Sequence, residues 1–166
     1  MSTAAPGLTI TIADYGDAAD AAAVVSLLDA YARDPMGGGE PLSDDVRDTL
    51  VDALASVPGA FSLIARLDDM PVGLANCFTG FSTFAAAPLV NIHDMAVMPG
   101  HRGAGIGRAL MEAVEVEALK RGACKVTLEV LSGNGRAKSL YESCGYGDYQ
   151  LDPAEGHALF WQKKLI

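Results

Sequence analysis

A run of glycines beside an arginine is the part of the sequence whose residue types most directly indicate chemistry. Arg102, Gly103, Gly105 and Gly107 follow an apolar stretch and a Pro-Gly turn, and a helical pattern opens at residues 104–107. Glycines lack the Cβ atom that would hold a phosphate away from backbone amides, and the N-terminus of a helix favours an anion. The arginine adds a permanent positive charge that can reach phosphate oxygens. This pattern predicts a binding site for a pyrophosphate.

Two other kinds of glycine loop fit the sequence less well. A Walker phosphate loop ends in Gly-Lys followed by Ser or Thr, whereas Gly107 is followed by Arg108 and Ala109. A dinucleotide-binding loop needs a third small residue where Arg108 stands, and its domain usually begins with the loop. The ending excludes a Walker loop, and the bulk of Arg108 disfavours a fragment of a dinucleotide-binding oxidoreductase.

Two motifs together resemble those of the GNAT superfamily of N-acetyltransferases. The stretch Arg102-Gly-Ala-Gly105-Ile-Gly107 is similar to the signature Arg/Gln-x-x-Gly-x-Gly/Ala of that family. The segment from Asn134 to Tyr146 is similar to its second motif, Asn…Ala…Leu-Tyr…Gly-Phe/Tyr. The motifs stand in the family's order and at its usual separation, and the clear resemblance covers residues 89–146.

The resemblance implies a fold, a reaction and a set of coenzyme contacts. The expected fold is α/β, a single domain over residues 1–166 with a mixed β-sheet and helices on both faces. The expected reaction is transfer of an acetyl group from acetyl-coenzyme A, the co-substrate, to a primary amine of a small molecule or peptide by direct attack in a ternary complex. A non-catalytic module that senses acyl-coenzyme A is the alternative. The cofactor-binding residues implied are Met95, Ala96, Val97, Arg102, Gly103, Ala104, Gly105, Ile106, Gly107, Arg108, Asn134, Ala137 and Tyr141.

This reaction needs a base for the amine and an acid for the departing thiolate. A lysine-like amine, with a pKa of ~10.4, is mostly protonated at neutral pH, so a proton must leave before attack. The position of Tyr141 in the second motif makes it the expected acid, although a tyrosine on a short helix is also a common half-buried core residue. For the base, the chain offers His93 and Asp94, at the place where several family members, polyamine acetyltransferases among them, have Glu-Asp with the glutamate as base.

His93 departs from that glutamate, but histidine side chains in general titrate near pH ~6.5, which suits a base. Side chains alternate along a strand, so His93 and Asp94 are expected on opposite faces of the sheet. We therefore expect His93 to be the catalytic base and Asp94 to be a hydrogen-bonded anchor. A core role for His93, with Asp94 or water as the base, is the alternative.

A second glycine-rich stretch, residues 34–40, joins two predicted helices within a substrate-side region at residues 17–57. The GNAT family often builds its acceptor pocket in this region. Asp34 and Glu40 are therefore candidate substrate-binding residues for a cationic amine, and a flexible connection without a binding role is the other interpretation.

The charge and the cysteines of the chain limit its partners and its compartment. A net charge of -9 at pH 7 repels nucleic acid and anionic membranes and attracts small cations, although it also serves solubility. Three scattered cysteines lack metal-ligand spacing and indicate reduced thiols, and the N-terminus has no signal-peptide pattern. We expect a cytoplasmic protein with no metal site, no nucleic-acid partner and no membrane partner. A homodimer, common in the family, is an option.

Hydrophobic periodicity predicts the elements that must position these residues. Strands are expected at residues 8–13, 60–67, 72–79, 89–97 and 125–131, the fourth of them buried on both faces. Helices are expected at residues 17–32, 43–57, 104–121 and 134–144. A loop at residues 80–88 and a final hairpin pairing residues 146–151 with 158–164 complete the prediction.

Overall fold

The computed structural model describes residues 6–149 and 152–165, and the chain divides into two compact units after Leu128. The first unit contains β1 (Leu8–Ile12), α1 (Ala18–Ala32), α2 (Asp44–Ser56), β2 (Ala60–Leu67), β3 (Met70–Ser82), β4 (Ala87–Val97), α3 (Ile106–Lys120) and β5 (Val126–Leu128). The second unit contains α4 (Gly135–Ser143) and a 3-10 turn at Pro153–Glu155.

The strands of the first unit form one mixed sheet in the order β1-β2-β3-β4-β5. The first four strands pair antiparallel, and β5 pairs parallel to β4, with Val90 opposite Val126. Two parallel neighbours need a crossover between them, and α3 lies on that connection. The mixed sheet expected from the sequence is confirmed.

Helices cover both faces of this sheet. Leu74 of β3 belongs to an apolar cluster with Val24 and Leu27 of α1. Its neighbour Gly73 lies on the other face, where an added Cβ would stand 3.0 Å from the Cδ1 atom of Leu110 in α3. The first two helices and the third therefore pack on opposite sides of β3, as expected.

Local capping residues set where the first two helices begin. The Asp17 carboxylate accepts the N–H groups of Ala19 and Asp20, each at 2.9 Å, and α1 begins at the next residue. The Ser43 hydroxyl caps α2 in the same way. The buried side of α2 is formed by Val51 and Leu54, whereas Val46 and Val57, which the periodicity places on that side, are 40% and 42% exposed.

The strands around the centre of the sheet differ from their predicted bounds. The expected loop at residues 80–88 is mostly strand, because β3 and β4 continue in register as far as Ser82 opposite Ala87. β4 is also not buried on both faces: Val90 and Ile92 are buried, but His93 is exposed. β5 ends at Leu128, where its pairing with β4 ends.

The predicted final hairpin is absent from the part of the chain that the structure describes. Residues 146–149 and 158–164 carry no strand, although the N–H of Ala158 donates to the oxygen of Tyr149 at 3.2 Å. Residues 150 and 151 lie outside the described residues. Across the described ranges, no helix has the length and hydropathy needed to cross a membrane.

Candidate active site

The centre of β4 carries one residue more than the facing part of β3. Asn76 pairs with Asp94, and the next residue of β3, Cys77, pairs with Ile92. His93 is therefore the extra residue of a β-bulge. Bulges interrupt the alternation of side chains and often re-aim a side chain next to an active site.

This bulge changes the orientation expected for His93 and Asp94. The His93 ring contacts the ring of Phe78 edge-on, with 5.5 Å between their centroids. Asp94 accepts a hydrogen bond from the side-chain amide of Asn76 at 3.0 Å. Since Asn76 and Phe78 are alternate residues of β3, their side chains share the α1 face of the sheet. The expectation of opposite faces was wrong, and both candidates for the base lie on one face.

The glycine loop after β4 has the backbone that a phosphate site requires. Gly105 caps α3 with a φ of 81°, a left-handed conformation that favours glycine, and α3 begins at Ile106 rather than at Ala104. The first helical hydrogen bond runs from the N–H of Ala109 to the oxygen of Gly105, so the amides of Ile106 and Gly107 have no acceptor within the helix. A Cβ added at Gly103 would meet no atom within 4 Å. The loop fits a bound diphosphate.

The residues expected along the coenzyme arm form the end of β4. Met95, Ala96 and Val97 are partly exposed and pair with β3 on one side. Arg108 is also partly exposed, on the first turn of α3, while the Ile106 side chain is buried and offers only its backbone. These positions are compatible with recognition through the main chain.

Arg102 links this loop to the segment that follows α1. Its Nε donates to the carbonyl oxygen of Val97 at 2.9 Å, and its Nη2 donates to the carboxylate of Asp34 at 2.7 Å. The other oxygen of Asp34 accepts the N–H of Met36 at 2.9 Å. The predicted phosphate ligand and the predicted substrate ligand are therefore partners in one ion pair.

The electrostatics after α1 are dominated by carboxylates. The N–H of Met36 and then the Arg102 guanidinium hold the pKa of the Asp34 carboxyl below its usual value. Burial raises the pKa of the Tyr31 phenol, and the negative charges of Asp94 and Asp34 raise it further. Tyr31 thus lies within the field of both carboxylates, whereas Glu40 is exposed. Such a field attracts a cation.

The second unit carries the remaining predicted residues. The Asn134 side chain caps α4 by accepting the N–H of Ala137 at 3.1 Å. Tyr141 lies on α4, partly buried, with 6.5 Å between its ring centroid and that of Tyr146. This cap sets the start of α4 at Gly135.

Residues 24–146 match the model of the acetyltransferase (GNAT) family. The chain belongs to this family. GNAT members transfer acetyl groups to amines with acetyl-coenzyme A as co-substrate, so the protein is an enzyme of the acyltransferase class. The resemblance found in the sequence is confirmed.

Individual relatives in the GNAT family differ in how much of their length this chain covers. The thialysine N-ε-acetyltransferase of Bos taurus is 31% identical over 133 residues, which are 73% of this chain and 76% of the relative. The streptothricin acetyltransferase of Streptomyces lavendulae is 40% identical over 77 residues, which are 46% of this chain but 41% of the relative. The chain thus spans less than half of the second relative.

A solved structure shows the same GNAT fold over nearly the whole chain. An aminoglycoside acetyltransferase from an uncultured soil metagenomic sample, in complex with sisomicin, has a TM-score of 0.74 at 18% identity. The match covers 95% of this chain and 97% of the other. At this identity the likeness shows the fold alone.

Sequence reasoning missed the residues that surround the GNAT site from neighbouring elements. Asn76, which contacts Asp94, and Tyr31, which lies in the field of the carboxylates, were not among the predicted site residues. A signal for the first was present, because Asn76 is a polar residue within the apolar run of β3. Polar groups in such a position need a hydrogen-bond partner.

We predict that Gly105→Val prevents coenzyme binding, because a β-branched side chain is strained at a φ of 81° and would stand where backbone must approach phosphate. Isothermal titration with coenzyme A measures the loss. Gly107→Val, within the helix, tests the same approach if strain unfolds the first variant. Gly100→Ala is the control, since its added Cβ meets no atom within 4 Å. Unchanged coenzyme affinity in a folded Gly107→Val protein would contradict the phosphate site.

A second prediction concerns the ion pair between Arg102 and Asp34. Asp34→Asn keeps the acceptor for the N–H of Met36 but removes the charge that holds Arg102, so coenzyme A should bind more tightly. A partly exposed ion pair is worth ~0.2–1 kcal/mol, which limits the gain to about fivefold. Asp44→Asn, which breaks an ion pair with Arg47 on α2, is the charge-matched control and should change nothing. Weaker binding in a stable Asp34→Asn protein would mean that the pair orders Arg102 instead of competing for it.

Proposed function

We propose that this GNAT enzyme transfers the acetyl group of acetyl-coenzyme A to a cationic primary amine of a small molecule or peptide, by direct attack in a ternary complex. The observation that carries the proposal is the continuous run from the bulged β4 to the glycine cap of α3. It joins two candidate proton acceptors, an exposed strand end and a phosphate-type loop. The family relationship supports the reaction class.

Each part of the proposed site has one task. Acetyl-coenzyme A supplies a thioester that a neutral amine can attack. The backbone of the glycine loop and Arg102 hold its diphosphate, and the partly exposed end of β4 offers main-chain groups to its arm. His93, on the exposed centre of β4, takes the proton that the amine must lose. The role of Tyr141, as donor of the proton to the thiolate, rests on its position in the second family motif.

The acceptor is proposed to be a cation because the α1 face of the site is acidic. The negative charges of Asp94 on β4 and Asp34 after α1 both raise the pKa of the Tyr31 phenol. Glu40 follows Asp34 in the segment that joins α1 to α2. A protonated amine is attracted to such a surface, and an anionic acceptor is repelled. Arg102 offsets the charge of Asp34, and Asp94 is the chain neighbour of His93.

The proposal is tested by ligand binding and then by turnover. Thermal unfolding is measured with coenzyme A, acetyl-coenzyme A and NAD, and a ligand at ~100 times its dissociation constant should add about 2.7 kcal/mol of stability. Release of free coenzyme A is then followed with thialysine, sisomicin, streptothricin and a peptide with an N-terminal alanine. Stabilisation by acetyl-coenzyme A without turnover of any amine favours the sensing module. Stabilisation by NAD alone rejects both functions.

If Tyr141 is the acid, Tyr141→Phe should lower kcat by ~10²-fold or more and leave coenzyme affinity nearly unchanged, because general-acid catalysis is typically worth ~10² to 10⁴. The ring remains, so the packing near Tyr146 is kept. Steady-state kinetics with the best amine and calorimetry with coenzyme A provide the two values. His93→Gln is the comparison: loss of the base should slow the reaction at pH 7 and allow partial recovery at high pH, where the amine deprotonates by itself. A kcat near the wild-type value in Tyr141→Phe would contradict the role as acid and indicate that the tyrosine only packs.

A further inference from the structure

A row of polar side chains crosses the centre of the sheet and ends at Asp94. Ser62, Asn76 and Asp94 are direct cross-strand neighbours on β2, β3 and β4. The Ser62 hydroxyl lies 2.6 Å from the side-chain oxygen of Asn76, and the Asn76 amide nitrogen lies 3.0 Å from the Asp94 carboxylate. At the other end, the Tyr15 hydroxyl lies 2.8 Å from the Ser62 hydroxyl. Four side chains thus form one unbroken chain of hydrogen bonds.

The middle of this hydrogen-bonded row is buried, where an unpaired polar group destabilises the folded state. Ser62 is 0% exposed and Asn76 is 3% exposed, within strands whose other central residues are mostly apolar. Among the described residues, Glu117 is the other buried polar residue, and it pairs with Lys120 and Arg121. Burial of an unpaired amide or hydroxyl destabilises a fold, whereas burial of a hydrophobic side chain does not. The hydrogen bonds within the row offset this cost, because each buried polar group has a partner.

The chemistry of the partners determines which atom donates in each bond. An ionised Asp94 can only accept, so the Asn76 nitrogen donates to it. The Asn76 oxygen must then accept, which makes Ser62 the donor in that bond, and Tyr15 therefore donates to Ser62. An amide does not pass protons along, so the row cannot act as a proton wire. It can orient a carboxylate.

Titratable groups on several elements interact electrostatically with Asp94 or lie near it in the chain. Cys77 on β3 has its thiol pKa raised to about 12 by burial, and Tyr31 on α1 has its phenol pKa raised, so both are neutral between pH 5 and 9. Asp34, with a lowered pKa, is charged throughout that range and pairs with Arg102. His93 is the neighbouring side chain on β4 itself. Within the residues that the structure describes, the side-chain row thus holds Asp94, whereas a cation holds Asp34.

We propose that Asn76 is a positioning residue that holds the Asp94 carboxylate to receive the ammonium group of the acceptor, with Ser62 and Tyr15 keeping the Asn76 amide in the donating orientation. This inference rests on the proposed function only in taking the acceptor to be a cationic amine. Oδ2 of Asp94 is used by Asn76, and the second oxygen is the one that the acceptor engages. Asn76 acts through Asp94 and touches no reacting atom.

An exchange of the two groups separates positioning from mere stability. Asp94→Asn keeps an acceptor for the Asn76 amide, and the double variant Asn76→Asp with Asp94→Asn keeps the same hydrogen bond with donor and acceptor exchanged. Asp94→Asn should melt close to the wild type, whereas the double variant places a carboxylate at the buried position 76 and should melt at a lower temperature. Both variants should bind coenzyme A as the wild type does. For the best amine of the panel, kcat/KM should fall by ~10- to 100-fold in both, mainly through KM, because a charge-assisted bond to the acceptor is lost. Wild-type kcat/KM in the double variant would overturn the inference.

A nuclear magnetic resonance measurement tests the same inference without turnover. The side-chain amide signal of Asn76, assigned by its loss in the double variant, should shift when n-butylamine hydrochloride is added to the protein with coenzyme A. It should not shift with sodium chloride at equal ionic strength, or with the amine in Asp94→Asn. Asp44→Asn, which removes one surface charge, should behave as the wild type. An Asn76 signal that does not shift with the amine in the wild-type protein would refute the ammonium site. Absence of turnover with every amine in the panel would refute the proposed function alone.

Discussion

The β-bulge at His93 is the constraint on which the site depends. One extra residue in β4 shifts its register against β3, so that Asp94 lies opposite Asn76 while Ile92 lies opposite Cys77. Without the bulge, the side chains of His93 and Asp94 would alternate, and one of them would turn toward α3. With it, both lie on the α1 face, beside the segment that bears Asp34. A local irregularity in pairing therefore brings two ionisable groups to one surface.

The hydrogen-bonded row on the α1 face is strengthened by the apolar residues beside it. The α1 side of the sheet is an apolar cluster built around Val24, Leu27 and Leu74, and it excludes water from the neighbouring row of hydrogen bonds. In such surroundings a hydrogen bond is electrostatically stronger, and an unsatisfied polar group is more costly. The row from Tyr15 to Asp94 therefore stays ordered, and it ends where β4 becomes accessible.

The two halves of the proposed chemistry meet at Arg102. Its guanidinium spans from the carbonyl of Val97 to the carboxylate of Asp34, and so ties the loop that follows β4 to the segment that follows α1. An ion pair between partly exposed groups is weak enough to be exchanged for a phosphate. Phosphate binding at the loop is therefore expected to depend on the charge of Asp34.

Features set by neighbouring residues could be predicted from the sequence alone. The caps at Asp17, Ser43 and Asn134 and the glycine cap of α3 depend on side chains and backbone within one turn. The mixed α/β fold followed from the same local patterns together with the two family motifs. The resemblance of the two motifs to the family indicated the reaction class, and the phosphate loop could be recognised because it is a local structure of glycine, arginine and a helix N-terminus.

Only the tertiary structure decided which of the remote residues meet. The bulge, the row through Ser62 and Asn76, and the pairing of Asp34 with Arg102 depend on strand register and on packing between residues far apart in the chain. Periodicity describes one strand at a time, so it could not show that alternation fails at His93 or that residues 80–82 continue β3. It also predicted a final hairpin from alternation alone, and a strand forms only where a partner supplies its hydrogen bonds.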